Sequence, residues 1–354
     1  MTQTPPPPPK PGSTPRSGRT QDWSGVRLHV VTGKGGTGKT TVAGALALSL
    51  AAGDGDTPGK RVLLVEVEGR QGIAQLFDVP QLPYAERRIA TTGNKGEVWA
   101  LAIDAEQALL EYLDMFYKLG PAARLLRRFG AIDFATTVAP GIRDVLLTGK
   151  TCEAVRRRAG ETEPGRKFHY DAVVMDAPPT GRITRFLNVN SEVSGLARVG
   201  PIRNQAEAVM RVLSSPQTAV HFVTLLEEMP VQETLDGTAE VSGAGLPLGA
   251  VVINQARPNE LTDSQIKQAA APQGLDRAEL SAGLRLAGLA TRQTAEALAE
   301  LAAEHAHRVI LENDQRSALS AVDTPVYELP LVSEGVDRVG LDRLAGLLHQ
   351  QGAA

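Results

Sequence analysis

Residues 33–40 read Gly-Lys-Gly-Gly-Thr-Gly-Lys-Thr. Glycines keep Cβ atoms out of the way, so successive backbone N–H groups can turn toward one anion. A helix starting there adds the positive end of its dipole. The spacing G-x-x-x-x-G-K-T fits a phosphate-binding loop. Lys39 is placed to neutralise the β- and γ-phosphates of a nucleotide, and the Thr40 hydroxyl to ligate Mg²⁺. Gly33, Lys34, Gly35, Gly36, Thr37, Gly38, Lys39, Thr40 and Thr41 form the candidate nucleotide-binding stretch. Asp176 ends a second apolar run, Tyr170–Met175, and precedes Ala177-Pro178-Pro179-Thr180-Gly181-Arg182. An acid there is where a P-loop enzyme holds Mg²⁺ through water. Two prolines and a glycine leave the following loop a few discrete shapes, suited to sensing a γ-phosphate.

These groups need a scaffold, and the chain alternates strand and helix to supply one. Val26–Val31 is short and β-branched, and Thr41–Leu50 is an apolar helix. Further strands are expected at Arg61–Glu68, Val98–Ile103, Tyr170–Met175, Ala219–Leu225, Ala250–Ile253 and Thr324–Leu329. Their nearly continuous apolar runs suit parallel strands covered on both faces. Asp104 caps an expected helix to about Lys118, a Leu- and Arg-rich helical stretch leads to Pro140, and another helix runs to about Ala159. Helices are also expected from about Val231, through most of Thr262 to Leu319, and from near Asp337. The expectation is an α/β, doubly wound, mostly parallel sheet with the nucleotide at the strand C-termini. Residues 1–24, with Pro5–Pro9, read as a disordered or polyproline II tail. Residues 25–354 read as a single ATPase domain, with a helical layer inserted at about 105–160 and 195–216.

Bulk properties exclude several classes. A net charge of −3 and a pI near 6.1 give no global pull toward nucleic acid, and no nucleic-acid partner is expected. The lone Cys152 rules out an intramolecular disulfide and a Cys₄ zinc site, and reads as a small buried hydrophobe. No run approaches the roughly 18 apolar residues of a membrane span, and the N-terminus carries no apolar signal core, so the expected location is the cytoplasm.

Together these motifs resemble the ArsA-type ATPases, the ATPases of arsenite efflux and of guided entry of tail-anchored membrane proteins. Lys34 makes the loop G-K-G-G-x-G-K-T, a deviant form in which, in such proteins, this lysine reaches across a dimer interface to the partner's nucleotide. Asp176–Gly181 is similar to the family's D-T-A-P-T-G. Trp99–Asp104 with Glu111-Tyr112, Pro140–Asp144, and Phe222-Val223 through Glu228–Thr234 look like further family segments. Asn254-Gln255 falls where the family recognises adenine, and Leu329-Pro330-Leu331 resembles its adenine-side loop, so Asn254 and Pro330 are nucleotide-site residues by resemblance. The resemblance covers about residues 26–350 and implies ATP and Mg²⁺ as cofactors, hydrolysis, and a homodimer or a heterodimer with a paralogous ATPase.

Departures bear on function. The family's first switch reads D-P-A-H and its Asp activates the attacking water. Here Glu68-Gly69-Arg70-Gln71 stands there, so Glu68 keeps the carboxylate with an added methylene. Glu66, two residues earlier, is the poorer candidate. The expected catalytic set is therefore Lys34, Lys39, Glu68 and Asp176, with Thr40 and Asp176 on the metal. Arg182 replaces the second switch's histidine, and Arg70 is a new cation; each is either a charge-stabilising finger or a solvated side chain. No C-x-x-C is present, so no zinc is expected, and one cysteine cannot supply a metalloid site. A membrane-protein or other protein client at the helical layer is expected, its identity open. Alternatives are a nucleotide-binding regulatory subunit of weak hydrolysis and a ParA/MinD-type partitioning ATPase. The C-terminal Leu341–His349 has few cations and no aromatics, which argues against a membrane-binding helix of the latter kind.

Overall fold

The computed structural model describes residues 23–53, 58–117, 140–160, 167–196, 201–289 and 292–354. The expected tail, apart from Trp23 and Ser24, and the Leu/Arg-rich stretch before Pro140 lie outside the described residues.

Eight strands form one sheet: β1 (Leu28–Gly33), β2 (Arg61–Glu66), β3 (Arg87–Thr91), β4 (Glu97–Ala102), β5 (Ala172–Asp176), β6 (Thr218–Thr224), β7 (Leu248–Ala256) and β8 (Val326–Pro330). The order is β3-β4-β2-β5-β1-β6-β7-β8. Every pairing is parallel except β3 on β4. Successive side chains along a strand go to opposite faces. Val62 and Leu64 join one core with Val31, Val174, Val223 and Val252, while Leu63 and Val65 join the other with Val30, Met175 and Phe222. This two-sided burial is what the continuous apolar runs require.

On the first face lie α1 (Lys39–Ala52), α2 (Gly72–Leu76) and α11 (Arg338–Gln350). Gly44 sits where an added Cβ would fall 2.8 Å from Leu76 Cδ2, so its lack of a side chain lets α2 close on α1. The second face carries α3 (Ala105–Tyr117), α4 (Pro140–Arg156), α5 (Thr180–Leu196), α6 (Pro201–Leu213) and α7 (Glu228–Gly243). Leu147, Ile183, Phe186, Leu187, Val209 and Val231 share one buried cluster with the strands, so this helical layer is built onto the sheet. Cys152 is wholly buried there, with its thiol pushed up to about 12 by burial, as a small hydrophobe would be. Asp104 Oδ1 accepts from Gln107 N at 2.8 Å and so starts α3 as expected.

Between β7 and β8 run α8 (Asp263–Ala270), α9 (Arg277–Leu286) and α10 (Arg292–Leu319). Thr262 begins α8 with a capping box to Gln265, and Asp276 caps α9. A small core of Ile266, Ala269, Ala306 and Val309 joins α8 to α10. No helix among the described residues is long and apolar enough to cross a membrane.

Two features escaped the sequence reading. The strand β3 is an edge strand with exposed Arg87 and Arg88, so it shows no apolar run. Trp23, assigned to the tail, is 6% exposed and donates from Nε1 to Tyr327 Oη at 3.0 Å.

Candidate functional site

The parallel sheet brings three strand ends together. Asp176 is paired in register with Val31 of β1 on one side and Glu66 of β2 on the other. The loops after β1, β2 and β5 therefore open on one edge, where α/β sheets bind ligands.

The loop from Gly33 to Gly38 needs its glycines. Gly33, Gly36 and Gly38 have φ of 154°, 90° and 85°, and a Cβ on Gly33 would run into Val223 O. Nothing lies within 4 Å of the Cβ positions of Gly35 and Gly36, so the outer side of the loop is open. The inner side is tied down: Thr37 Oγ1 donates to Lys34 O at 2.9 Å, and Asn254 Nδ2 donates to Thr37 O at 2.9 Å. The sequence, by resemblance, put Asn254 beside an adenine. In the structure it is 5% exposed and packs under the loop, against Gly38. Pro330 ends β8, paired in register with Ala256, just beyond Asn254 on β7.

Lys39 and Thr40 open α1. Lys39 is 9% exposed, and Thr40 Oγ1 donates to Asp176 Oδ2 at 2.6 Å across 136 residues of sequence. Asp176 is pushed up to about 6, chiefly by burial, with Glu66 and Glu68 adding to it and Thr40 and Lys39 opposing. A buried carboxylate whose charge is disfavoured by burial, beside a hydroxyl, is a hard-oxygen pair that a divalent cation would stabilise. The residues thus fit a magnesium–nucleotide complex: an open N–H cradle, a buried lysine, and two oxygen donors at its foot.

The acids at the end of β2 and just beyond it sit in different surroundings. Glu66 is 2% exposed and its carboxylate accepts the backbone N–H groups of Gln71 and Ile73. It thereby fixes the loop into α2, where Gln71 adopts φ 57° and pairs with Leu82 through both side-chain atoms. Sequence reasoning gave Glu66 no role; the signal was an acid ending an apolar strand directly before a glycine-containing turn. Glu68 lies beyond the strand, with Oε2 3.6 Å from Arg70 Nη2. The loop after Asp176 is tied to β1 by Thr32 Oγ1 donating to Pro178 O at 2.7 Å.

Lys34 forms an ion pair with Glu233 of α7, within the same chain. Glu233 lies in a segment whose resemblance was read, yet 199 residues separate the pair and no local pattern links them. Arg182 Nη2 stands 3.7 Å from Asp144 Oδ1. Thr41 continues α1 behind Thr40.

The sequence profile of a family described as anion-transporting ATPase matches residues 26–216. The ATPase BagA of Mycobacterium tuberculosis is 52% identical over 346 residues, covering 96% of this chain and 98% of that protein. The ATPase GET3 of Kluyveromyces lactis is 29% identical over 262 residues, with 65% of this chain and 72% of its own length covered. An arsenical pump-driving ATPase of Escherichia coli is 29% identical over 245 residues, which is 64% of this chain and 39% of that protein.

Proposed function

Because the chain belongs to the anion-transporting ATPase family, we propose that it is a Mg²⁺-dependent ATPase in which nucleotide draws two subunits together and releases or grips a client at the helical layer. The observation that carries this reading is the Thr40–Asp176 contact at the foot of the glycine loop, beside the buried Lys39. The loop N–H groups and Lys39 would bind the phosphates; Thr40, with Asp176 behind it, would hold the cation, which neutralises charge on the transferring phosphoryl group. Glu68 would orient the attacking water. Lys34 would turn from Glu233 toward the partner's nucleotide, so the resting pair must open first. Ala177 of the loop after Asp176 shares one buried cluster with Leu147 of α4, Ile183 of α5 and Val209 of α6, which would give that loop a route to the layer. Such a chain would work in the cytoplasm, where ATP is supplied.

A second reading is a nucleotide-binding subunit of weak hydrolysis that pairs with a paralogous ATPase. The observation favouring it is Glu68, longer than the family's Asp and already beside Arg70. A base displaced by about an ångström costs on the order of 10²-fold in rate.

The deciding experiment is steady-state Mg²⁺-ATP hydrolysis across protein concentration, with Asp176→Asn and Lys34→Ala alongside. Turnover that rises with concentration and is lost in both variants is expected. ATP binding without turnover at any concentration would move the assignment to the second reading, and absence of ATP binding would sink both.

A further inference from the structure

Beside the nucleotide loops lies a separate pocket of about 190 Å³, lined by Val67, Glu68, Arg70, Arg143, Asp144, Leu147, Pro178, Arg182 and Phe186. None of these residues belongs to the Gly33–Thr41 stretch, although Glu68 is also the residue proposed to orient the attacking water, so the pocket adjoins the nucleotide site. Three elements each bring one guanidinium: the loop into α2 (Arg70), the first turn of α4 (Arg143) and the first turn of α5 (Arg182). The floor is apolar, from Leu147 and Phe186, which are 2% and 1% exposed.

The charges do not cancel. Three arginines face two carboxylates, and the closest approaches, Arg70 to Glu68 at 3.6 Å and Arg182 to Asp144 at 3.7 Å, exceed the roughly 3.2 Å of a direct hydrogen bond. Arg70 and Arg182 keep 74% and 61% of their side chains exposed at the mouth. Each guanidinium carries five donors in a planar fork matched to oxyanions. Two helix N-termini open at the same place and add positive potential, though they would not by themselves make a site.

We propose that this pocket is an anion site distinct from the nucleotide loop, taking a small tetrahedral oxyanion such as phosphate. Donors arriving from three elements suit a group with three or four oxygens; a planar carboxylate would engage only one or two of the forks. The site couples chemistry to structure, because its arginines sit on the loop that follows Glu68 and on the first turns of α4 and α5 in the helical layer. The same chemistry admits two sources: the phosphate cleaved from ATP, on its way out, or an anion from solution.

Inorganic phosphate titrated calorimetrically into the nucleotide-free full chain tests this. Binding is expected in the wild type and in Lys39→Ala, and should weaken by about tenfold in each of Arg143→Gln and Arg182→Gln. Both arginines are solvent-facing, and a thermal melt of each variant shows that the fold is kept. Phosphate binding lost in Lys39→Ala but intact in the arginine variants would place the anion in the nucleotide loop and overturn the proposal. So would no heat at tens of millimolar phosphate. The binding arm needs no turnover, so it reads even if the chain proves a poor ATPase. Where turnover is measurable, inhibition by added phosphate that is relieved in Arg182→Gln identifies the product as the ligand; turnover indifferent to phosphate, with binding intact, identifies a solution anion.

Discussion

Glu66 and Glu68 sit two positions apart and carry opposite burdens. Glu66 is buried and holds two backbone N–H groups, so Glu66→Ala should destabilise the fold by about 3 kcal/mol by leaving both donors unpaired. Denaturant unfolding checks this. Glu68→Gln should leave stability and ATP affinity unchanged but lower kcat by roughly 10²- to 10⁴-fold, the usual worth of a positioned acid–base group. Equal loss of affinity and rate would remove Glu68 from the water-positioning role. A third residue-scale effect lies at the far end of the sheet. His29 and His221 stack with centroids 5.3 Å apart, wholly buried, and His221 Nδ1 accepts from Ala250 N. Burial lowers His221 from 6.5 to about 4, and lowers His29 well below its ordinary value with His221 as an added cause. Above pH 6.5 both states are neutral and nothing changes. From pH 6.5 down to about 4 the unfolded chain takes up protons that the folded one refuses. Stability therefore falls with acidification across that window, by up to about 1.4 kcal/mol per pH unit for each histidine. In His221→Asn, which can still accept from Ala250 N, the fall of Tm with pH should be shallower; an unchanged slope would count against the pair as its origin.

At the scale of elements, what could be read from the sequence was whatever a run of residues announces by itself. The loop at Gly33–Thr40 was legible because positive φ at Gly36 and Gly38 leaves glycine as the workable choice. The central strands were legible because burial on both faces demands unbroken apolar runs. The edge strand β3 was not, since Arg87 and Arg88 face solvent and only Ala90 is buried. Tertiary pairings such as Lys34–Glu233 and Asn254–Thr37 were invisible for a related reason: they join residues about two hundred positions apart. One element contact rests on a single atom. Gly237 in α7 lies where a Cβ would collide with Thr180 at the head of α5 and fall 2.8 Å from Phe222 Cε1. Gly237→Val should push α7 from the loop after Asp176, costing about 1–3 kcal/mol of stability and reducing turnover through that loop. A melt lowered with kcat untouched would show that α7 and the loop are not coupled.

For the whole molecule, the question is what the resting chain must surrender to become a pair. Lys34 and Glu233 are each about one-third exposed, so the ion pair is worth little, and a partner's nucleotide could compete for the lysine. Glu233→Gln should shift the protein concentration for half-maximal turnover down by about two- to fivefold. An unmoved midpoint would mean that the pair does not restrain assembly. The opposite end of the sheet has its own fastening: Trp23 donates to Tyr327 Oη, which in turn donates to Gly352 O at 3.1 Å. Trp23 and Gly352 are thus pinned to the same corner, at the strand N-termini and away from the phosphate loops. A peptide bridge between them would close the backbone into a ring without crossing either switch. New ends could then be cut in an exposed turn such as Gly93–Lys95, giving a permuted protein whose fluorophores or fused domains ride clear of the reacting edge.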